Sequence, residues 1–223
     1  MPASLFIRIK QPIAAWLMKK IQKYGPHKVR VNGRTYEISE NVFNPKFYFT
    51  SEFMATHIIV GPQDLVLDMG TGSGIQAITA GQRAVSVIAV DINPEAVKFA
   101  QKNVKAHGLD NTVTVMESDL FSFFDPCRGF NVILFTPPYL DGIPKTDFDH
   151  ALFDNEKQLI TRFFSEAKKY LKPGGYVQML YSSIADPERA MEIAAGYGWN
   201  HKLVATQATG TEKFLIYRLT LKE

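Results

Sequence analysis

The run Val66-Leu67-Asp68-Met69-Gly70-Thr71-Gly72-Ser73-Gly74 constrains this chain more than any other stretch. An apolar, strand-forming segment passes into three glycines spaced two apart, and the residues from 74 to 82 read as a helix. A strand that ends in Gly-x-Gly-x-Gly lets backbone N–H groups and a helix N-terminus approach a ligand closely. From residue 64 onward the same alternation repeats. Strands rich in Val, Ile or Leu are expected at 64–68, 85–90, 112–116, 131–135 and 175–181, and helices near 74–82, 94–107, 156–171 and 187–197. Such alternation predicts an α/β fold, a mainly parallel sheet with helices on both faces.

The punctuation supports this reading. Asn93, Pro94, Glu95 and Gly108 are the cap, first-turn and stop signals of one helix. Residues 201–206 and 213–222 are strand-like, and the link between them is too short for a parallel crossover, so they form an antiparallel hairpin at the sheet edge. Lys172-Pro173-Gly174-Gly175 reads as a turn before the fifth strand. Upstream, residues 12–24 fit an amphipathic helix ended by Gly25-Pro26, with Ile13, Trp16, Leu17 and Ile21 expected to pack on the domain. Asn32-Gly33 joins two short strands as a hairpin. Thr50-Ser51 cap a helix that runs to about Gly61-Pro62. Residues 1–49 thus form a substrate-side extension, a short helix plus hairpin, to a domain spanning 50–223.

Charge is unevenly distributed. Residues 1–36 carry eight Lys or Arg and no acid, whereas the rest has 17 basic against 22 acidic residues. Such asymmetry marks either a solvated helix face or a polyanion contact. Cys127 is the only cysteine, which excludes an intrachain disulfide framework and points to a reducing, cytoplasmic compartment. No apolar run reaches the roughly 18 residues that span a bilayer, and Arg8 and Lys10 interrupt the early apolar residues where a secretory signal would need continuity.

Three acids follow three successive strands. Asp68, beside the glycine turn, can hold the ammonium of an amino-acid cofactor, where a pyrophosphate would be repelled. Asp91 ends the next strand, 23 residues on, a spacing that suits a carboxylate accepting from both ribose hydroxyls. Asp119 follows the third strand and can accept from an adenine amino group. A nicotinamide or flavin site would want its third glycine one residue later. After the fourth strand comes Thr136-Pro137-Pro138-Tyr139. Two prolines fix the backbone and remove two donors, so carbonyls can point into a cavity and accept both hydrogens of an amino or amide group. Tyr139 can stack on a planar acceptor. No general base stands out, and no metal is required.

On these residues the chain resembles, over roughly 50–223, the seven-stranded class I methyltransferases that use S-adenosyl-L-methionine. Asp68 to Gly74 is similar to their cofactor motif, Asp91 to their ribose acid and Ser118-Asp119 to their adenine contact. The resemblance implies a Rossmann-like doubly wound sheet of seven strands and a cofactor set of Asp68, Gly70, Thr71, Gly72, Asp91, Ile92, Ser118, Asp119 and Thr136. Thr136-Pro137-Pro138-Tyr139 resembles the Asn-Pro-Pro-Tyr loop of the HemK-like glutamine methyltransferases and of small-domain enzymes acting on adenine. This implies that Thr136, Pro137 and Tyr139 position an acceptor nitrogen on an RNA base or a protein side chain. Threonine in place of asparagine keeps a hydroxyl and loses an amide. Phe47, Tyr48 and Thr50 match a segment that runs over cofactor and acceptor in those families. His150 is a candidate proton acceptor in a lid at 147–150. Two alternatives stand beside this reading: a small-molecule N- or O-methyltransferase, and a non-catalytic cofactor-binding subunit.

Overall fold

The computed structural model describes residues 5–47, 49–125, 129–210 and 212–222. Helix α1 (Leu5–Lys23) and the hairpin β1 (Lys28–Val31) and β2 (Arg34–Glu37) precede α2 (Phe49–Thr56). Then follow β3 (Leu65–Met69), α3 (Ile75–Gly81), β4 (Ser86–Asp91), α4 (Pro94–Ala106), β5 (Val113–Glu117), β6 (Phe130–Phe135), α5 (Gln158–Ala167), β7 (Leu171–Ser182), α6 (Pro187–Gly196), β8 (Trp199–Thr209) and β9 (Glu212–Leu221). Strands β3 to β9 form one sheet in the order β5-β4-β3-β6-β7-β9-β8. The first five pair in parallel; β7 with β9 and β9 with β8 are antiparallel. The expected doubly wound architecture with its terminal hairpin is therefore present.

The central strands β3, β4 and β6 are apolar almost throughout because both faces are covered. Side chains alternate between faces along a strand. Val66, Val87, Ala89, Val132 and Leu134 pack under α2, α3 and α4, while Leu67, Met69, Ile88, Val90, Ile133 and Phe135 pack under α5 and α6. The hairpin residues Val29, Val31, Tyr36 and Ile38 belong to the first of these cores. Asn103 of α4 pins the hairpin there: it accepts from the Glu37 N–H (2.8 Å) and donates to the Glu37 carbonyl (2.8 Å) and the Ser73 carbonyl (2.9 Å).

Several local expectations need correction. Ile13, Trp16 and Leu17 do not pack on the domain; they are 60%, 58% and 48% exposed. The inward face of α1 is built instead from Ala15, Met18 and the amides of Gln11 and Gln22. Gln22 alone donates to the Ser39 and Val42 carbonyls and accepts from the Asn44 N–H. Helix α2 stops at Thr56 rather than near Gly61, because the Thr56 hydroxyl and the His57 ring both engage the Phe53 carbonyl. The helix expected from 156 begins at Gln158, since Glu156 and Lys157 take positive φ (50° and 60°). Its other end is a separate tighter turn at Lys168–Tyr170. Residues 172–175 lie within β7, which starts at Leu171 opposite Phe130 and shifts register before Tyr176 pairs with Val132.

Candidate functional site

In the strand order, β3 connects by α3 to β4 on one side, while its other neighbour is β6. The strand direction of winding reverses there, and a crevice opens outside the carboxyl ends of the strands at such a point. A cleft of about 380 Å³ occupies it. Asp68, Gly70, Thr71, Gly72, Asp91, Ile92, Ser118, Asp119, Thr136, Pro137 and Tyr139 all line this cleft, as do Thr50 and His150. The sheet register explains the gathering. Asp68, Asp91 and Phe135 end or nearly end three adjacent strands, and each following turn rises on the same side.

The glycine turn is held from below. Thr71 N–H donates to the Val90 carbonyl (2.9 Å), and Gly74 N–H to the Thr71 carbonyl (2.9 Å). Gly70 and Gly72 have φ of 68° and 56°, and a Cβ on either would meet no atom within 4 Å. Glycine is needed at both for the backbone conformation, and the space left over opens on the cleft.

Asp68 is buried at the cleft floor. Its Oδ2 accepts from Thr71 Oγ1 (2.6 Å) and the Ala77 N–H (3.0 Å). Burial pushes this carboxyl up to about 7, with those two donors opposing the rise and Asp91 adding to it. Asp91 accepts from the Gly72 N–H through Oδ2 (2.8 Å) and from the Asn93 N–H through Oδ1 (3.0 Å). Its carboxyl is also raised, by desolvation first, and held down by those N–H groups and by His150. His150 is exposed and lines the same cleft as Asp91. Asp119, half-exposed at the mouth, is ion-paired with Arg162 of α5 at 3.0 Å. The Ser118 hydroxyl is turned to the local backbone, donating to the Leu120 carbonyl.

On the acceptor side, Thr136 Oγ1 is buried without a hydrogen-bond partner. No described backbone N–H donates to the Pro137 or Pro138 carbonyl. The Tyr139 ring meets Tyr181 edge-on, with centroids 6.3 Å apart. Leu140 is held by a two-way bridge, its N–H donating to the Leu152 carbonyl and its carbonyl accepting from the Asp154 N–H. The acceptor loop is thereby clamped to the segment 141–157, which forms one wall of the cleft.

Phe47 is not at the cleft. Its ring lies over Gly25, where the absent Cβ leaves room for it at the end of α1. Tyr48 lies outside the described residues. Sequence reasoning missed other walls: Met18, Asn41, Val42, Phe43, Gln76 and Arg162. Asn41 had a signal only in hindsight of distance, since it bonds Glu95 and, by its carbonyl, Asn93 across more than fifty residues. Among the described residues there is no cluster of metal-ligating side chains and no helix long and apolar enough to cross a membrane.

The cleft therefore offers two carboxylates and open glycine backbone on one side, and a proline-stiffened loop with the unpartnered Thr136 hydroxyl on the other. Residues 38–218 match the family model described as the methyltransferase small domain. A Methanocaldococcus jannaschii protein, provisionally named a protein N5-glutamine methyltransferase, is 34% identical over 158 residues, which cover 68% of this chain and 78% of that one. The release factor glutamine methyltransferase of Koribacter versatilis is 36% identical over 172 residues, covering 70% of this chain and 60% of that longer protein. Among solved structures, an M. jannaschii tRNA methyltransferase superposes with a TM-score of 0.62 at 19% identity, over 88% of this chain and 56% of that one, a likeness of fold.

Proposed function

The chain belongs to the methyltransferase small-domain family, and from that premise we propose that it transfers a methyl group from S-adenosyl-L-methionine to the side-chain amide nitrogen of a glutamine in a protein. The observation that carries this reading is the convergence of Asp68, Asp91 and the Thr136–Tyr139 loop on one cleft. The names of the relatives, both glutamine methyltransferases, support glutamine as the acceptor.

The residues present fit the cofactor. Both oxygens of Asp91 are fixed by backbone donors, and their remaining lone pairs can accept from a ribose diol. Asp68 stands where a ligand ammonium would restore the charge that burial suppresses. When bound, the cofactor would supply an electrophilic methyl on a sulfonium, whose sulfur would leave as the neutral thioether while the amide nitrogen gives up one proton to solvent. Everything else falls to the chain. An amide nitrogen is a poor nucleophile because its lone pair is delocalised into the carbonyl. Thr136 and the Pro137 carbonyl, aimed at its two hydrogens, would draw on the N–H bonds and fix the plane of the amide. Positioning and electrostatic stabilisation of this kind are the two largest contributions a site can make without a base. Tyr139, braced by Tyr181, would cover one face of that amide. The basic surface near the N-terminus is proposed as a contact for an acidic or nucleic-acid element accompanying the acceptor.

Calorimetric titration with S-adenosyl-L-methionine tests the cofactor, with Asp91→Ala as control; micromolar binding lost in the variant is expected. Tritium transfer to protein, RNA and metabolite fractions, followed by mass spectrometry of the labelled product, tests the acceptor. Methyl on a glutamine amide is expected. Label confined to RNA or to small molecules would overturn the acceptor assignment and leave the cofactor assignment standing.

A further inference from the structure

Gln76 is the second residue of α3, the helix fed by the glycine turn. It is 8% exposed, lines the cleft, and its Oε1 is buried with no hydrogen-bond partner. A buried acceptor left unmade costs about 1–3 kcal/mol. Nothing in the packing calls for that cost. Its neighbours Ile75, Ala77 and Ile78 are buried and apolar, and an apolar residue at 76 would satisfy the same helix. The position of the amide then becomes informative. The N–H of Ala77, the next residue, donates to Asp68 Oδ2, which sets Gln76 beside the carboxylate assigned to the cofactor's ammonium. The ribose and adenine acids, Asp91 at the end of β4 and Asp119 after β5, bond instead to Gly72, Asn93 and Arg162, none of them in α3.

We propose that the side-chain amide of Gln76 binds the amino-acid end of the cofactor, reading its ammonium or carboxylate beside Asp68. The inference rests on the cofactor assignment above and deepens it. A side-chain amide carries an acceptor oxygen and two donor hydrogens, so it complements a zwitterion whichever way it is turned. It also adds an acceptor without adding a second negative charge next to Asp68. Ligand-free protein carries the unmade hydrogen bond, and bound ligand completes it.

The test uses Gln76→Met, which keeps the volume of the side chain and removes the amide. Three probes are titrated by calorimetry: S-adenosyl-L-methionine, S-adenosylhomocysteine and 5′-methylthioadenosine, which has the nucleoside and thioether but no amino-acid end. The variant should bind the first two about tenfold more weakly, one unit of the 1.4 kcal/mol scale, and bind the third as wild type does. Its melting temperature without ligand should equal or exceed that of wild type. An equal loss for all three probes, or no loss for any, overturns the role of Gln76 while the cofactor assignment survives. Failure of wild type to bind any of them overturns the cofactor assignment itself, and this inference with it.

Discussion

Asp68 is a stability liability placed where a ligand can relieve it. Its carboxyl binds a proton more tightly when folded than when unfolded, since burial lifts it from 3.8 to about 7. The consequence has a definite sign. On this group alone, stability is greatest below about pH 4, declines as pH rises toward 7, and stays low above it. Asp68→Asn removes the penalty, worth at most about 4 kcal/mol at 1.36 kcal/mol per unit. The ligand-free variant should therefore melt higher than wild type at pH 8, with the gap closing toward pH 4 in a series of thermal scans. Affinity for S-adenosyl-L-methionine should fall tenfold or more in the same variant. An arriving ammonium also favours the charged carboxylate, so wild type should release about half a proton on binding near pH 7. Binding enthalpies measured in buffers of different ionisation heat report that release. If Asp68→Asn releases as many protons as wild type, Asp68 is not the group that meets the ammonium. Thr136 makes the complementary case. Its buried hydroxyl has no partner, so Thr136→Val should leave the melting temperature unchanged or raised, and lower kcat about tenfold with little change in cofactor affinity. A fall in stability with unaltered kcat would show a structural hydroxyl instead. Both residues were legible in the sequence, because each follows an apolar strand and belongs to a short motif. Gln76 was not, because its polarity is out of pattern only once its burial is known.

Among the elements, α1 departs furthest from what its sequence suggests. The stripe Ile13-Trp16-Leu17-Ile21 has helical spacing, and periodicity alone assigns it to the core. The helix instead turns toward the domain a face of small and amide residues, and those amides are spent on partners far along the chain. Gln11 donates to the Ile184 carbonyl and accepts from the Asp141 N–H. Lys19 pairs with the buried Asp149 at 2.6 Å, in the segment that walls the cleft. Hydrophobic patterning carries no information about hydrogen bonds across 130 residues, which is why the orientation could not be read. Helix α1 thereby ties the segment 39–44 on the cofactor side to the segment 141–154 on the acceptor side. Burial of Asp149 raises its carboxyl, but Lys19 and the Lys145 N–H outweigh burial and leave it below the ordinary value. Stability from this pair is present above the unfolded carboxylate range and lost as pH falls through the lowered one. Lys19→Met should cost about 1 kcal/mol at pH 7, a figure kept small because Lys19 is half-exposed, and cost nothing at pH 2. The variant should also be cleaved faster between residues 141 and 157 under limited proteolysis. Unchanged cleavage would mean that α1 does not restrain that wall.

At the scale of the molecule, the sheet was the most legible part. Strands buried on both faces are continuous apolar runs, helices between them carry caps, and the short link at 208–211 permits only an antiparallel return. The parallel pairing of β5, β4, β3 and β6 then puts the turns that bear the candidate residues 68–74, 91–92, 118–119 and 136–139 together at the carboxyl ends of the strands. What the sequence withheld were the parts fixed by distant contacts: the walls supplied by α1, by residues 41–43 and by Arg162 of α5. These walls make the cleft a joint property of three regions, so a bound cofactor should stabilise more than its own contacts. S-adenosylhomocysteine at a hundred times its Kd adds about 2.7 kcal/mol to folding. For a chain of this length that raises Tm by about 5–10 °C. Hydrogen exchange locates the gain. Protection should rise at 70–74, 91–93 and 118–119, where ligand is expected to touch. It should rise also at 39–44 and along α1, because Gln22 bonds three backbone groups of 39–44 and cannot open while that segment is held. Protection limited to the three turns would show that α1 moves independently of the cofactor site. In that event the clamp between α1 and the segment 141–154 would belong to acceptor entry alone, and Lys19→Met would alter KM for the acceptor without touching cofactor affinity.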